Sequence, residues 1–169
     1  MINKITSNNW ARGKLFWILL IALCVSMESV ALVYQYLLNE PPCILCIHFR
    51  LLFVLIILIA IFGLLFCKNK VARVISLLGI VASFGVMTER AYQLLGTERG
   101  FVLGDCSVGL NFPNWLAVDK WIPWLFQPMT SCGYTPEIIF GITMAEVLML
   151  FTVVMTLLFS LFLIVNIRK

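Results

Sequence analysis

Charge is scarce in this chain: only 12% of its 169 residues are Asp, Glu, Lys or Arg, against 62% that are hydrophobic. That balance excludes a soluble domain of this size and marks an integral membrane protein built as one compact domain. Histidine is scarcer still, with His48 standing alone. It lies two residues from Cys46, on a different helical face, and no second ligand set at zinc spacing appears, which argues against a metal centre. Six cysteines are too few for a disulfide scaffold of this length. Acid is absent wherever the basic residues gather at the termini and in the short 68–73 loop. The net charge of +4 therefore reads as membrane topology and not as a nucleic-acid patch.

What is present is a set of long apolar runs. Residues 15–38 form the first, broken only by Glu28, and are long enough to cross ~30 Å of hydrocarbon at ~1.5 Å per residue. The run is too long for a cleaved leader, and no convincing small-x-small site follows it. Further spans are expected at 44–67, 72–95 and 138–166, with a short connection at 39–43 and one long polar loop at 96–137. The predicted fold class is an all-α membrane protein, a bundle of four transmembrane helices. Four spans put both termini on one side. That side, with the 68–73 loop, carries Lys4, Arg12, Lys14, Lys68, Lys70, Arg73, Arg168 and Lys169 and no acid; Arg50, Arg90, Arg99 and Lys120 fall on the other. The positive-inside rule makes the first side cytoplasmic. The two loops then face outward, in a bacterium into the periplasm, where disulfides persist.

The chemistry gathers in Pro41-Pro42-Cys43-Ile44-Leu45-Cys46. Proline suits a helix start, so both thiols are expected in the opening turn of the second span, where the helix dipole favours a thiolate. Arg50, four residues beyond Cys46, shares its face. Cys106 and Cys132 lie in the long loop with 25 residues between them. Residues 111–126 carry Trp115, Trp121 and Trp124, the mark of a short interfacial helix bounded or kinked by Pro113 and Pro123. Two structural disulfides are one reading of the four outer cysteines. For the distant pair such a bridge would stabilise by roughly 3–4 kcal/mol. The near pair closes almost no loop, so redox exchange or metal binding is the usual reason for its spacing, and redox exchange is favoured here. Cys24 and Cys67 read as small apolar side chains. Glu28, an ionisable group inside a span, reads as structural or proton-handling, and Glu146 and Arg90 as boundary residues.

The Pro-Cys-Ile-Leu-Cys run with Arg50, the four spans, Phe112-Pro113-x-Trp115-Leu116, Asp119-Lys120-Trp121-Ile122-Pro123 and the flanking Cys106 and Cys132 together resemble the DsbB family of bacterial inner-membrane thiol oxidases. The resemblance covers nearly the whole chain. It implies a quinone-dependent protein-disulfide oxidoreductase that reoxidises a DsbA-type periplasmic dithiol oxidase and passes the electrons to ubiquinone or menaquinone. By that resemblance the partner attacks the Cys106–Cys132 disulfide at Cys106, and freed Cys132 exchanges with the Cys43–Cys46 pair at Cys43. Cys46 is left facing the quinone, beside Arg50. Family members often carry a histidine late in the third span, implicated in the quinone site; Gln93 holds that position here. Ala145 stands where a proline is common. Two other readings compete: a quinone reductase of the vitamin K epoxide reductase type, whose Cys-x-x-Cys lies late in the chain, and a non-enzymatic, disulfide-braced membrane assembly factor.

Overall fold

A computed structural model describes residues 13–102, 121–130, 137–139 and 141–168. Its elements run α1 (Lys14–Tyr36), α2 (Ile44–Leu65), α3 (Lys70–Arg99), a four-residue helix α4 (Pro123–Phe126), a small hairpin of β1 (Glu137–Ile139) and β2 (Ile142–Thr143), and α5 (Met144–Arg168). Helices α1, α2, α3 and α5 have 23, 22, 30 and 25 residues and are apolar enough to cross a membrane. The shortest is about 33 Å long, enough for the hydrocarbon core. The element boundaries follow local chemistry. Asn69 caps α3 by accepting the Val71 N–H at 3.0 Å, and Gly100, at φ +76°, ends the helix in the left-handed conformation that glycine adopts freely.

Two boundaries differ from the sequence expectation. Helix α3 continues to Arg99, because a helix that leaves the hydrocarbon can go on through the polar interface carrying Glu89, Arg90 and Glu98. The fourth spanning helix begins at Met144 and not at 138. The apolar stretch before it folds back as an antiparallel pair, Glu137 opposite Thr143, with Gly141 at φ +77° in the turn. β-Branched residues beside a glycine suit that hairpin better than a helix start.

The spanning helices pack in chain order, α1 on α2, α2 on α3 and α3 on α5. Trp17, Ile56, Leu77, Ile80, Phe84 and Met87 are fully buried along these seams. Phe84 stacks on Phe159 with ring centres 5.3 Å apart, and Phe16 closes α1 onto α5 by stacking on Phe162 at 5.0 Å. The outward faces are apolar too: Leu58, Leu150 and Leu161 stand exposed. A helix that is hydrophobic all round belongs in lipid. Packing there depends on close fit and on a few interhelical hydrogen bonds. Gly63 of α2 lies directly under the Trp17 ring, and the Thr88 and Thr156 hydroxyls join α3 to α5 at 3.1 Å. At the hairpin end, Arg99 pairs with Glu146, and Thr143 donates to Glu98 at 3.2 Å. Both boundary acids are thus engaged across elements.

Candidate functional site

The site assembles where α1 ends and α2 begins. Pro41 and Pro42 hold the chain extended, so α2 starts only after them. Cys43 is its N-cap, accepting the Cys46 N–H on Sγ at 3.2 Å. The prolines therefore precede the cap and do not fill the first helical turn. Cys46 sits inside that turn, where unpaired N–H groups and the dipole favour negative charge. Cys43 is fully buried and Cys46 half-buried.

One turn further, Arg50 is 4% exposed. A cation so buried is tolerable only with partners, and among the described residues it has three. Nη1 donates to Gln35 Oε1 at 2.5 Å and to the Leu125 carbonyl at 2.9 Å, and Nη2 donates to the Ala31 carbonyl at 3.1 Å. Helices α1, α2 and α4 therefore meet on one guanidinium. Glu28, on the same face of α1, feels the Arg50 charge, and its Oε1 has no hydrogen-bond partner among the described residues. Beside Arg50 lies a cleft of about 110 Å³, bordered by Cys46 and Arg50 and otherwise mostly apolar, with Met27, Phe49, Phe53 and Leu148 in its wall. A thiol, a hydrogen-bonding cation and an apolar slot thus share one space at the membrane boundary.

The segment 121–130 is tied to the same end of the bundle. The Tyr36 hydroxyl donates to the Trp124 carbonyl at 2.5 Å, and Gln35 Nε2 approaches the same oxygen at 3.5 Å. The Met129 N–H donates to the Pro42 carbonyl at 2.9 Å, and Thr130 forms a parallel bridge with Cys43. Pro123 opens α4, as expected of a proline at a helix start, while Trp121 and Trp124 stand exposed.

Cys43, Cys46 and Arg50 are thus brought together. Gln93 is not among the cleft's lining residues; it accepts from Arg90 at 3.0 Å and reaches Glu89 at 3.4 Å, all on α3. Cys106, Cys132 and Trp115 lie outside the described residues. Cys24 and Cys67 are buried free thiols, and His48 Nδ1 lies 3.0 Å from the Ile44 carbonyl. Sequence reasoning passed over Gln35 and Tyr36. An amide inside a span is costly without a partner, which marks Gln35, but nothing in the sequence names that partner.

A family model described as disulfide bond formation protein DsbB matches residues 13–162. Among similar curated proteins, the disulfide bond formation protein B of Shewanella amazonensis is 30% identical over 141 residues, 82% of each chain. That of Shewanella loihica is 29% identical over 140 residues, 81% of each. That of Psychromonas ingrahamii is 29% identical over 174 residues, covering all of this chain and 89% of the relative.

Proposed function

The chain belongs to the DsbB family of multi-pass membrane proteins of disulfide bond formation, and from that premise we propose that it is a thiol oxidase that reoxidises a DsbA-type dithiol and delivers the electrons to a membrane quinone. One observation carries the reading: Cys46 and Arg50 border the same apolar cleft at the boundary of the bundle. The donor set fits a quinone head group, with an apolar slot for the ring and a guanidinium for a carbonyl oxygen. A bound quinone supplies an acceptor for two electrons and two protons.

The chain's own residues do the rest. The partner's thiolate attacks Cys106 Sγ, the Cys106–Cys132 bond breaks, and Cys132 leaves as a thiolate. Cys132 attacks Cys43 Sγ, the Cys43–Cys46 bond breaks, and Cys46 becomes the thiolate. These exchanges are redox-neutral within the chain. The partner's second thiol then releases Cys106, which re-forms its bond to Cys132 and frees Cys43. Closing Cys43–Cys46 again gives up two electrons and two protons, the pair lost by the partner. Cys46 at the helix N-terminus and beside Arg50 is held ready as the thiolate. Arg50 also offers preorganised donors where negative charge develops in the cleft. The eight basic residues on the side of the termini support a cytoplasmic placement of that side, with the cysteines in the periplasm.

The test is anaerobic mixing of the purified protein with a reduced DsbA-type protein and a short-chain ubiquinone or menaquinone. Loss of quinone absorbance matching partner oxidation is expected with at least one of them. Partner oxidation without quinone loss, or no turnover with either, overturns the reading.

A further inference from the structure

Arg50 gives its three hydrogen bonds to uncharged acceptors: the Gln35 side chain and the Ala31 and Leu125 carbonyls. None of them neutralises its charge. Glu28 and Cys46 stand near enough to do so, Glu28 the more strongly felt, with Tyr36 and Cys43 weaker. Glu28 precedes Ala31 by three residues and Gln35 by seven, so it shares their face of α1. Its Oε1 is closed off from solvent and has no hydrogen-bond partner among the described residues. The fold thus sets a carboxyl in the field of Arg50 without tying it into an ion pair. A carboxylate locked to a guanidinium is committed to its charge, whereas an untied one can gain and lose a proton as nearby charges change. The other titratable group felt by Glu28 is Cys24, one turn earlier on α1. Helix α5 contributes only Met144 and Leu148 to the cleft wall, and the 121–130 segment carries no charged side chain.

We propose that Glu28 is the alternate counter-ion of Arg50, ionised while Cys46 is held in its disulfide and protonated while Cys46 is a thiolate, so that it stores one of the two protons that leave with the electrons. The inference rests on the thiol-oxidase reading above. One buried cation balances one anion, and a second anion beside it is costly. With Cys43–Cys46 closed, that one anion is the Glu28 carboxylate. When a thiol attacks Cys43 Sγ, a bond forms between the two sulfurs, the Cys43–Cys46 bond breaks and Cys46 leaves as a thiolate. The proton released by the attacking thiol goes to Glu28, and the net charge around Arg50 is unchanged. The second thiol of the attacking molecule then frees Cys43 as a thiol. Closing Cys43–Cys46 from this thiol and thiolate gives up two electrons and one proton. Glu28 gives up the other proton and returns to the carboxylate, which meets the two-electron, two-proton demand of a quinone. Glu28 does not itself border the cleft, but Met27 and Ala31 on either side of its turn do, so the proton is stored beside the place where it is used. Glu28 acts through Arg50 and is a positioning residue for charge.

Counting protons in quinone-free protein tests this. In a Cys106→Ser/Cys132→Ser background, the Cys43–Cys46 couple is equilibrated with dithiothreitol at several pH values near neutral. Dithiothreitol loses two protons with its two electrons. The parent background is expected to take up two, one on Cys43 and one on Glu28, so its equilibrium constant does not vary with pH. Glu28→Gln takes up only one, so its equilibrium moves toward the dithiol about tenfold per pH unit as pH rises. Glu28→Asp keeps a carboxyl and is expected to follow the parent. Infrared difference spectra, reduced minus oxidised, should show a protonated-carboxyl band in the parent background that moves in Glu28→Asp and is missing in Glu28→Gln. A role confined to packing moves neither readout. A pH-independent equilibrium in Glu28→Gln, a tenfold slope already present in the parent background, or a parent spectrum without the band overturns the proposal. Should Glu28→Gln fail to fold, the band decides by itself, and one that stays unmoved in Glu28→Asp overturns the proposal. Both readouts are taken without quinone, so their failure is distinguishable from the absence of quinone turnover that overturns the thiol-oxidase reading.

Discussion

Arg50 spends three donors on Ala31, Gln35 and Leu125 and still borders the cleft beside Cys46. One side chain therefore touches both the 121–130 segment and the cleft. Lysine would keep the charge, but a compact ammonium cannot reproduce a planar fork aimed at several fixed acceptors. Arg50→Lys is expected to raise the KM for quinone about five- to tenfold. It should also slow partner-driven turnover, because the Leu125 carbonyl is held less well. Arg50→Met should do both more strongly, since it strands three acceptors that each cost about 1–3 kcal/mol when left unpaired. Quinone titration at saturating partner checks this, and parent-like KM in Arg50→Met would remove the residue from the site. The spacing of Cys43, Cys46 and Arg50 was legible in the sequence because it is local, one turn of helix apart. The roles of Gln35 and Tyr36 were not, because their partner, the Trp124 carbonyl, lies 89 and 88 residues away and carries no side-chain signature.

At the scale of elements, Trp17 of α1 fills the space that Gly63 of α2 leaves open, and a Cβ at position 63 would collide with the indole ring. Lipid gives helices no hydrophobic reason to associate, so such close fits hold the bundle. Gly63→Ala is expected to destabilise by about 1–3 kcal/mol, the usual result of overpacking. The measurement is thermal unfolding in detergent, and Trp17→Leu in the same chain should restore part of the loss. An unchanged midpoint in Gly63→Ala would contradict the seating of the two helices. Helix existence was readable from apolar length alone, since four runs of over 20 residues leave few alternatives. The ends were harder. The hairpin before α5 reads as membrane from hydropathy, because hydropathy does not distinguish a β-branched turn around Gly141 from the first turn of a helix.

For the molecule as a whole, the site's location at one end of the bundle gives orientation its functional weight. Cys43, Cys46, Arg50 and the 121–130 segment share the end formed by the close of α1 and the start of α2. The opposite end carries the α2–α3 turn, where Lys68 is exposed and Lys70 opens α3. Eight of the twelve Lys and Arg residues gather in the sequence stretches 4–14, 68–73 and 168–169, and all eight Asp and Glu residues lie outside those stretches. Lysine and arginine close to the spans resist translocation, while acids have little influence, so the asymmetry is one of basic residues and not of net charge. If it sets the orientation, the redox end faces the compartment in which thiols become oxidised and the turn at Lys68 faces the one in which they stay reduced. A cysteine placed at Lys68 in a chain otherwise free of cysteine reports this directly, and seven of the eight basic residues remain to hold the topology. A membrane-impermeant maleimide should label Lys68→Cys in inverted inner-membrane vesicles and leave it unlabelled in intact spheroplasts. A cysteine at exposed Met129 in the same background should show the reverse pattern. Labelling of both positions from one side would mean an even number of crossings between them, against the single crossing by α3. Reversal of the two patterns would put the end that carries Cys43 and Cys46 in the cytoplasm and contradict the proposed function.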